Sequence, residues 1–144
     1  MTATIWVVAC RQGEEAEARA TPRSPGRTGR VLWIPPPFAE IALVHGVWRR
    51  LNARLGTLFD TFEQENLGPD SVEAFACAVE EEVGRLRGVA ENGSLRAQIA
   101  VRIAPTRADE YAEMTLAEME RGGGEFVRFA REVAREGIGL VVGM

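Results

Sequence analysis

The chain has 144 residues, 46% of them hydrophobic and 26% charged, with a net charge of −4. That length and balance describe one domain with a single core and exclude wholesale disorder. All 17 basic residues are arginine, which excludes Schiff-base and phosphate-gripping lysines, and the acidic balance argues against a nucleic-acid partner.

Residues 4–10 are a β-branched and aromatic run that reads as a buried strand. Its end, Val7-Val8-Ala9-Cys10, has the look of a lipoprotein cleavage box. The stretch before Cys10 is shorter than the roughly 15–30 residues of a secretory signal and carries no positive side chain, so the strand is the better reading. With only Cys10 and Cys77, neither a disulfide framework nor a zinc site is expected, and a reducing cytoplasm is the natural setting. No apolar run approaches the ~20 residues of a membrane span, so no membrane association is expected. Residues 11–30, punctuated by Pro22, Pro25, Gly26 and Gly29, read as a mobile loop. Residues 31–34 form a second strand, stopped by Pro35-Pro36-Pro37, and pairing of the two strands would make Trp6 and Trp33 cross-strand neighbours.

Ile41, Val44, Trp48, Leu51, Leu55, Leu58 and Phe62 then recur at alternating spacings of three and four, a heptad seam that predicts one helix over about 41–62. Leu67-Gly68-Pro69 breaks it, and Asp70 with Glu73 resembles a capping-box restart. Val72, Ala76, Val79, Val83 and Leu86 continue the periodicity, so the two helices are expected to pair as an antiparallel hairpin. Leu95, Ala97, Ile99, Val101 and Ile103 alternate with more polar residues as a strand. A third helix is expected from Thr106 and Asp109 through Tyr111, Ala112, Leu116 and Met119 to about Arg121. Gly122-Gly123-Gly124 reads as a joint before a fourth helix with Phe126, Phe129, Ala130 and Val133, and residues 138–142 as a closing strand. The expected fold is a single α+β domain over 1–144: about four strands packed by two helical hairpins, in the order ββαα-β-αα-β.

Candidates for chemistry are few. His45 is the single histidine, and no ligand or nucleophile at a useful spacing accompanies it. Glu80-Glu81-Glu82 cannot converge on a metal, because consecutive helical residues point in different directions. Gly122-Gly123-Gly124 is a poor phosphate loop, since Glu125 follows and repels an anion, and Gly137-Ile138-Gly139 stands in the wrong order for a dinucleotide fingerprint. No cofactor and no metal are expected, and no catalytic residue is assigned.

The charge layout says more. Eight acids and no arginine occupy 60–82, while five arginines face one glutamate over 84–107. Asp60, Glu63, Glu65, Asp70, Glu73, Glu80 and Glu81 are therefore the expected partner-binding residues, an acidic docking surface for a basic protein. The leading expectation is a non-enzymatic protein-binding module, either an inhibitor or a subunit of a larger assembly. In size and charge the chain is loosely similar to small acidic bacterial immunity proteins that block toxins, a likeness that no residue motif carries. One alternative is a small enzyme without histidine or metal, using Arg96, Arg102 or Glu40 near the sheet. Another is a homodimer paired through the 41–62 helix.

Overall fold

The computed structural model describes residues 4–20, 30–59, 64–102, 105 and 107–143, except the side chains of 17, 20 and 99–102. In chain order the elements are β1 (Ile5–Cys10), α1 (Glu15–Ala20), β2 (Val31–Ile34), α2 (Phe38–Val44), α3 (Val47–Leu55), β3 (Glu65–Leu67), α4 (Pro69–Val89), β4 (Ser94–Arg102), β5 (Ala108–Thr115), α5 (Leu116–Arg135) and β6 (Gly139–Gly143). The fold is α+β. One sheet has the order β2-β1-β6-β3, all antiparallel, and β4 with β5 makes a separate two-stranded sheet.

The central strand β1 is apolar throughout because both its faces are covered. Ile5 and Val7, with Ile34, Leu140 and Val142, join the main core under α4 and α5. Trp6, Val8 and Cys10, with Val141, form a smaller cluster that Ala18 of α1 helps to cover. Trp6 and Trp33 are cross-strand partners as expected, and Trp6 lies directly over Gly143. A Cβ at that glycine would occupy the indole's place, which explains a glycine in a buried strand.

The 41–62 seam does not run as one helix. Gly46 adopts a left-handed φ of 76° and separates α2 from α3, and Gly56 at φ 67° ends α3. Left-handed glycines are the common device for stopping a helix. Asn52 then fixes the exit: its Oδ1 accepts from Thr57 Oγ1 (2.9 Å) and the Phe59 amide (2.6 Å), while its Nδ2 donates to the Phe59 carbonyl (2.8 Å). Phe59 is thereby folded back into a ring series Trp48–Phe59–Phe75–Phe126, with centroids 6.1, 5.4 and 5.2 Å apart. Ile41, Trp48 and Leu51 are buried in the chain's own core, whereas Leu58 is exposed and Phe62 lies outside the described residues.

Three further expectations are corrected. Residues 15–20 of the supposed loop are helical. The helix restart falls at Pro69, with Gly68 as N-cap and no side-chain cap, so Asp70 sits in the first turn. There its charge complements the helix dipole. The third helix does not begin near Thr106: 108–115 is strand β5, pairing with β4 and burying Ala112 and Met114 beside Leu95 and Ala97. Inward burial on a hairpin overrides the helix preference of alanine, glutamate and methionine. Because β4 pairs with β5, the fourth strand of the main sheet is the short β3 instead.

The triple glycine is not a joint. Helix α5 runs unbroken through it, started by a capping box in which Thr115 Oγ1 accepts from the Glu118 amide (3.1 Å) and Glu118 Oε2 accepts from the Thr115 amide (3.0 Å). A Cβ on Gly122 would press on Phe38 at 3.0 Å, and one on Gly123 would run into Val83 Cγ2. The dominant helical pair is therefore α4 with α5, at a distance only glycine permits.

Gly124 differs, because among the described residues a Cβ there would meet nothing within 4 Å. Gly123→Ala should overpack the crossing and lower stability by about 1–3 kcal/mol. Gly124→Ala should raise it by about 0.5–1 kcal/mol through helix propensity alone. Urea unfolding of both variants checks this, and equal midpoints would contradict it.

Candidate functional site

Antiparallel packing sets two stripes of charge side by side. On α4, Glu73, Glu80 and Arg87 recur every seventh residue; on α5, Arg121, Arg128 and Arg135 do the same, flanked by Glu120 and Arg131. The stripes interlock across the seam: Arg87 Nε donates to Glu120 Oε1 (2.7 Å), and Arg131 Nη1 to Glu80 Oε2 (2.8 Å). Arg131 Nε also lies 3.6 Å from Glu73 Oε1. The neighbouring carboxylate Glu80, first, and Cys77 raise the Arg131 guanidinium above its ordinary value.

Between these bridges the bare backbone of Gly123 and Gly124 leaves a groove of about 610 Å³. Its floor is Val83, Val127 and the two glycines; its rim is charged, with Arg87, Arg128, Arg131 and Arg135 against Glu80, Glu120 and Glu132. Glu80 and Glu120 are already bonded to Arg131 and Arg87. Arg128 and Arg135 have no ion-pair partner within 4 Å among the described residues. Two such guanidinium groups beside an apolar notch can hold an anionic group next to an apolar one.

The expected acidic surface is placed differently from a bare field. Asp60 and Glu63 lie outside the described residues. Glu65, on β3, accepts from the Leu58 amide at 3.3 Å, and Asp70 is exposed. Glu73 and Glu80 both face Arg131, and Glu81 pairs with Arg54 of α3, whose guanidinium it raises. The run Glu80-Glu81-Glu82 thus sends its carboxylates to three different arginines on two helices. Surface pairs of this kind add little to stability. Their larger effect is to cancel the acidic field over α4.

Glu82 is the exception because it is buried. Arg50 Nε lies 3.0 and 2.9 Å from its two carboxylate oxygens, and Arg50 Nη2 donates to the His45 carbonyl at 2.7 Å. One guanidinium thus ties the end of α2 to α4 across the Gly46 turn. His45 is the C-cap residue of α2, half-buried, with Nε2 shielded from solvent and without a hydrogen-bond partner among the described residues.

The other enzyme candidates do not meet. Arg96 stacks on Tyr111 at 3.8 Å on the exposed face of the hairpin, Glu40 is buried in α2, and the Arg102 side chain lies outside the described residues. Arg96 and the buried pair Leu95 and Ala97 alternate on β4, so Arg96 faces away from the core that holds Glu40. A second cavity, about 320 Å³, is lined by Cys10, Glu15, Asn66 and Gly68 among others. The Cys10 thiol is pushed up, first by burial and then by Glu15 and Glu14, so it is a poor nucleophile. Among the described residues no group of His, Cys, Asp and Glu is placed to hold a metal ion, and no helix is long and apolar enough to cross a membrane.

Comparison with known protein families, curated proteins and solved structures finds no match for this chain.

The groove was not singled out from the sequence, although two signals for it stand there: the arginines at 128, 131 and 135, and glycines inside an amphipathic run. The Arg50–Glu82 pair has no local signal at all, being 32 residues apart.

Arg50→Met should lower stability by about 3–5 kcal/mol, because it leaves a buried carboxylate facing no guanidinium closer than Arg85 at 3.7 Å. Arg50→Met with Glu82→Leu should recover most of that loss. Denaturant unfolding distinguishes the cases, and an equal loss in single and double variants would assign the effect to the His45 carbonyl bond instead.

Proposed function

We propose that this chain is a non-enzymatic protein-binding module that docks through the outer face of α4 and α5. The observation that carries the reading is Gly124: a glycine inside a helix, with open space where its side chain would stand, at the floor of an arginine-rimmed groove. Such a glycine costs the helix about 1 kcal/mol with no packing gain, as Gly84 and Gly88 of α4 also do, and of the three Gly124 alone lines the groove. Small inhibitors of the immunity type and subunits of larger assemblies are the two settings for a module of this kind. The two thiols Cys10 and Cys77, both free, suit the cytoplasm.

Three other readings lose ground on the placement of named residues. A basic partner on the acidic run would have to displace Arg131, Arg54 and Arg50, which already neutralise Glu73, Glu80, Glu81 and Glu82. A homodimer through the 41–62 seam would need Ile41, Trp48 and Leu51, which are spent in the core. For an enzyme the required convergence of polar groups is missing between Arg96 and Glu40.

Affinity-tagged chain, drawn through an extract of its own cells, should retain a partner in near-stoichiometric amount at about 50 mM salt. It should release much of it at about 500 mM, where charges are screened beyond roughly 4 Å. Recovery of the chain alone at every salt concentration would sink the module reading.

A further inference from the structure

We infer that the α4–α5 groove takes an extended acidic peptide segment that places one apolar side chain on Gly124 and carboxylates on Arg128 and Arg135; this rests on the protein-binding reading above. The dimensions of the groove carry the inference. Gly124 and Arg128 are one helical turn apart, a rise of about 6 Å, and Arg135 stands about 10 Å further along. In an extended chain, side chains on one face repeat every second residue, about 6.6 Å apart. A peptide of the form apolar-x-acid-x-acid therefore presents its apolar side chain at the notch, its first carboxylate at Arg128, and its second within reach of Arg135. The long arginine side chain takes up the few ångströms that remain.

The chemistry of the lining favours this occupant over a free anion. The apolar floor made by Val83 and Val127 adds nothing to the binding of phosphate but shields an aliphatic side chain from water. Glu132, on the rim between Arg128 and Arg135, repels a dense polyanion. It tolerates single carboxylates spaced on either side of it. Arg87 and Arg131, held by Glu120 and Glu80, line the groove on either side of the notch. The guanidinium groups of Arg128 and Arg135 offer forked donors that match a carboxylate.

The probe is the blocked peptide acetyl-Leu-Ser-Glu-Ser-Glu-amide, titrated into the full chain while backbone amide signals are followed by NMR. Saturable shifts are expected at Val83, Gly123, Gly124 and Val127, at least about 10-fold weaker in Arg128→Gln/Arg135→Gln and weakened several-fold between about 50 and 300 mM salt. Gly124→Leu, whose Cβ would meet nothing within 4 Å among the described residues, should keep the fold and lose the binding. Replacing the peptide's leucine by alanine, or its glutamates by glutamines, should weaken it to a similar extent. Shifts centred elsewhere, equal binding of the glutamine peptide, or unchanged binding to folded Gly124→Leu would overturn the inference. Displacement of the peptide by equimolar inorganic phosphate would overturn it too, by making the groove a general anion site. A partner that still co-purifies with Gly124→Leu would retire the groove and leave the module reading standing, whereas the absence of any partner retires the module.

Discussion

Everything in the helical layer depends on the contact between Gly123 of α5 and Val83 of α4. Where the two helices cross, any side chain at 123 would collide with the valine, so glycine sets how closely they approach. That approach buries Phe126 against Phe75 and completes the ring series that reaches back to Trp48 in α3. It also aligns the charged stripes of the two helices so that Glu120 meets Arg87 and Glu80 meets Arg131. The groove is a by-product of the same contact. A helix pair drawn together by glycine leaves an unfilled notch one residue further on, at Gly124, where no neighbour demands the missing side chain.

The electrostatics follow from where the helices bring arginine. In the sequence, acids and arginines stand in separate blocks, which suggests a molecule with an acidic end. In the fold, α3 and α5 lay Arg50, Arg54 and Arg131 across α4, and the four acids Glu73, Glu80, Glu81 and Glu82 of that block each meet an arginine. The surplus then falls elsewhere. Among the described residues Arg128 and Arg135 have no ion-pair partners, on a chain whose net charge is −4. Arg128 and Arg135 thus make the groove a place that favours an acidic group on a chain that repels acids in general.

The legible and illegible parts of the fold divide along physical lines. The buried strands β1 and β6, the apolar edge strand β2 and the long amphipathic α4 could be read because their pattern is set by burial. The same rule failed on 41–62, where a continuous heptad pattern is cut by Gly46 and Gly56. What decides there is the hydrogen bonding of Asn52 to residues 57 and 59, which no periodicity records. It failed again on 108–115, whose alanine, glutamate and methionine favour a helix in isolation but whose alternation with β4 buries Ala112 and Met114. The true start of α5 was legible, since Thr115 and Glu118 have capping-box spacing, yet the weaker pair Thr106 and Asp109 drew the boundary earlier. As for the site, the seven expected acidic residues were visible as a charge run, but the arginine partners of Glu73, Glu80 and Glu81 were not, because ion pairing across 27 to 58 residues of sequence is a property of the packed helices.

If a partner sits on the outer face of α4 and α5, the amides beneath it must exchange more slowly when it is bound. Amide hydrogen exchange of the chain, alone and with its co-purified partner, tests this most directly, because protection reports contact without any substitution. Slowed exchange is expected in the partner's presence along 80–87 and 120–135, centred on Gly124. Protection confined to residues 60–73 would return the acidic surface to favour and contradict docking at the groove.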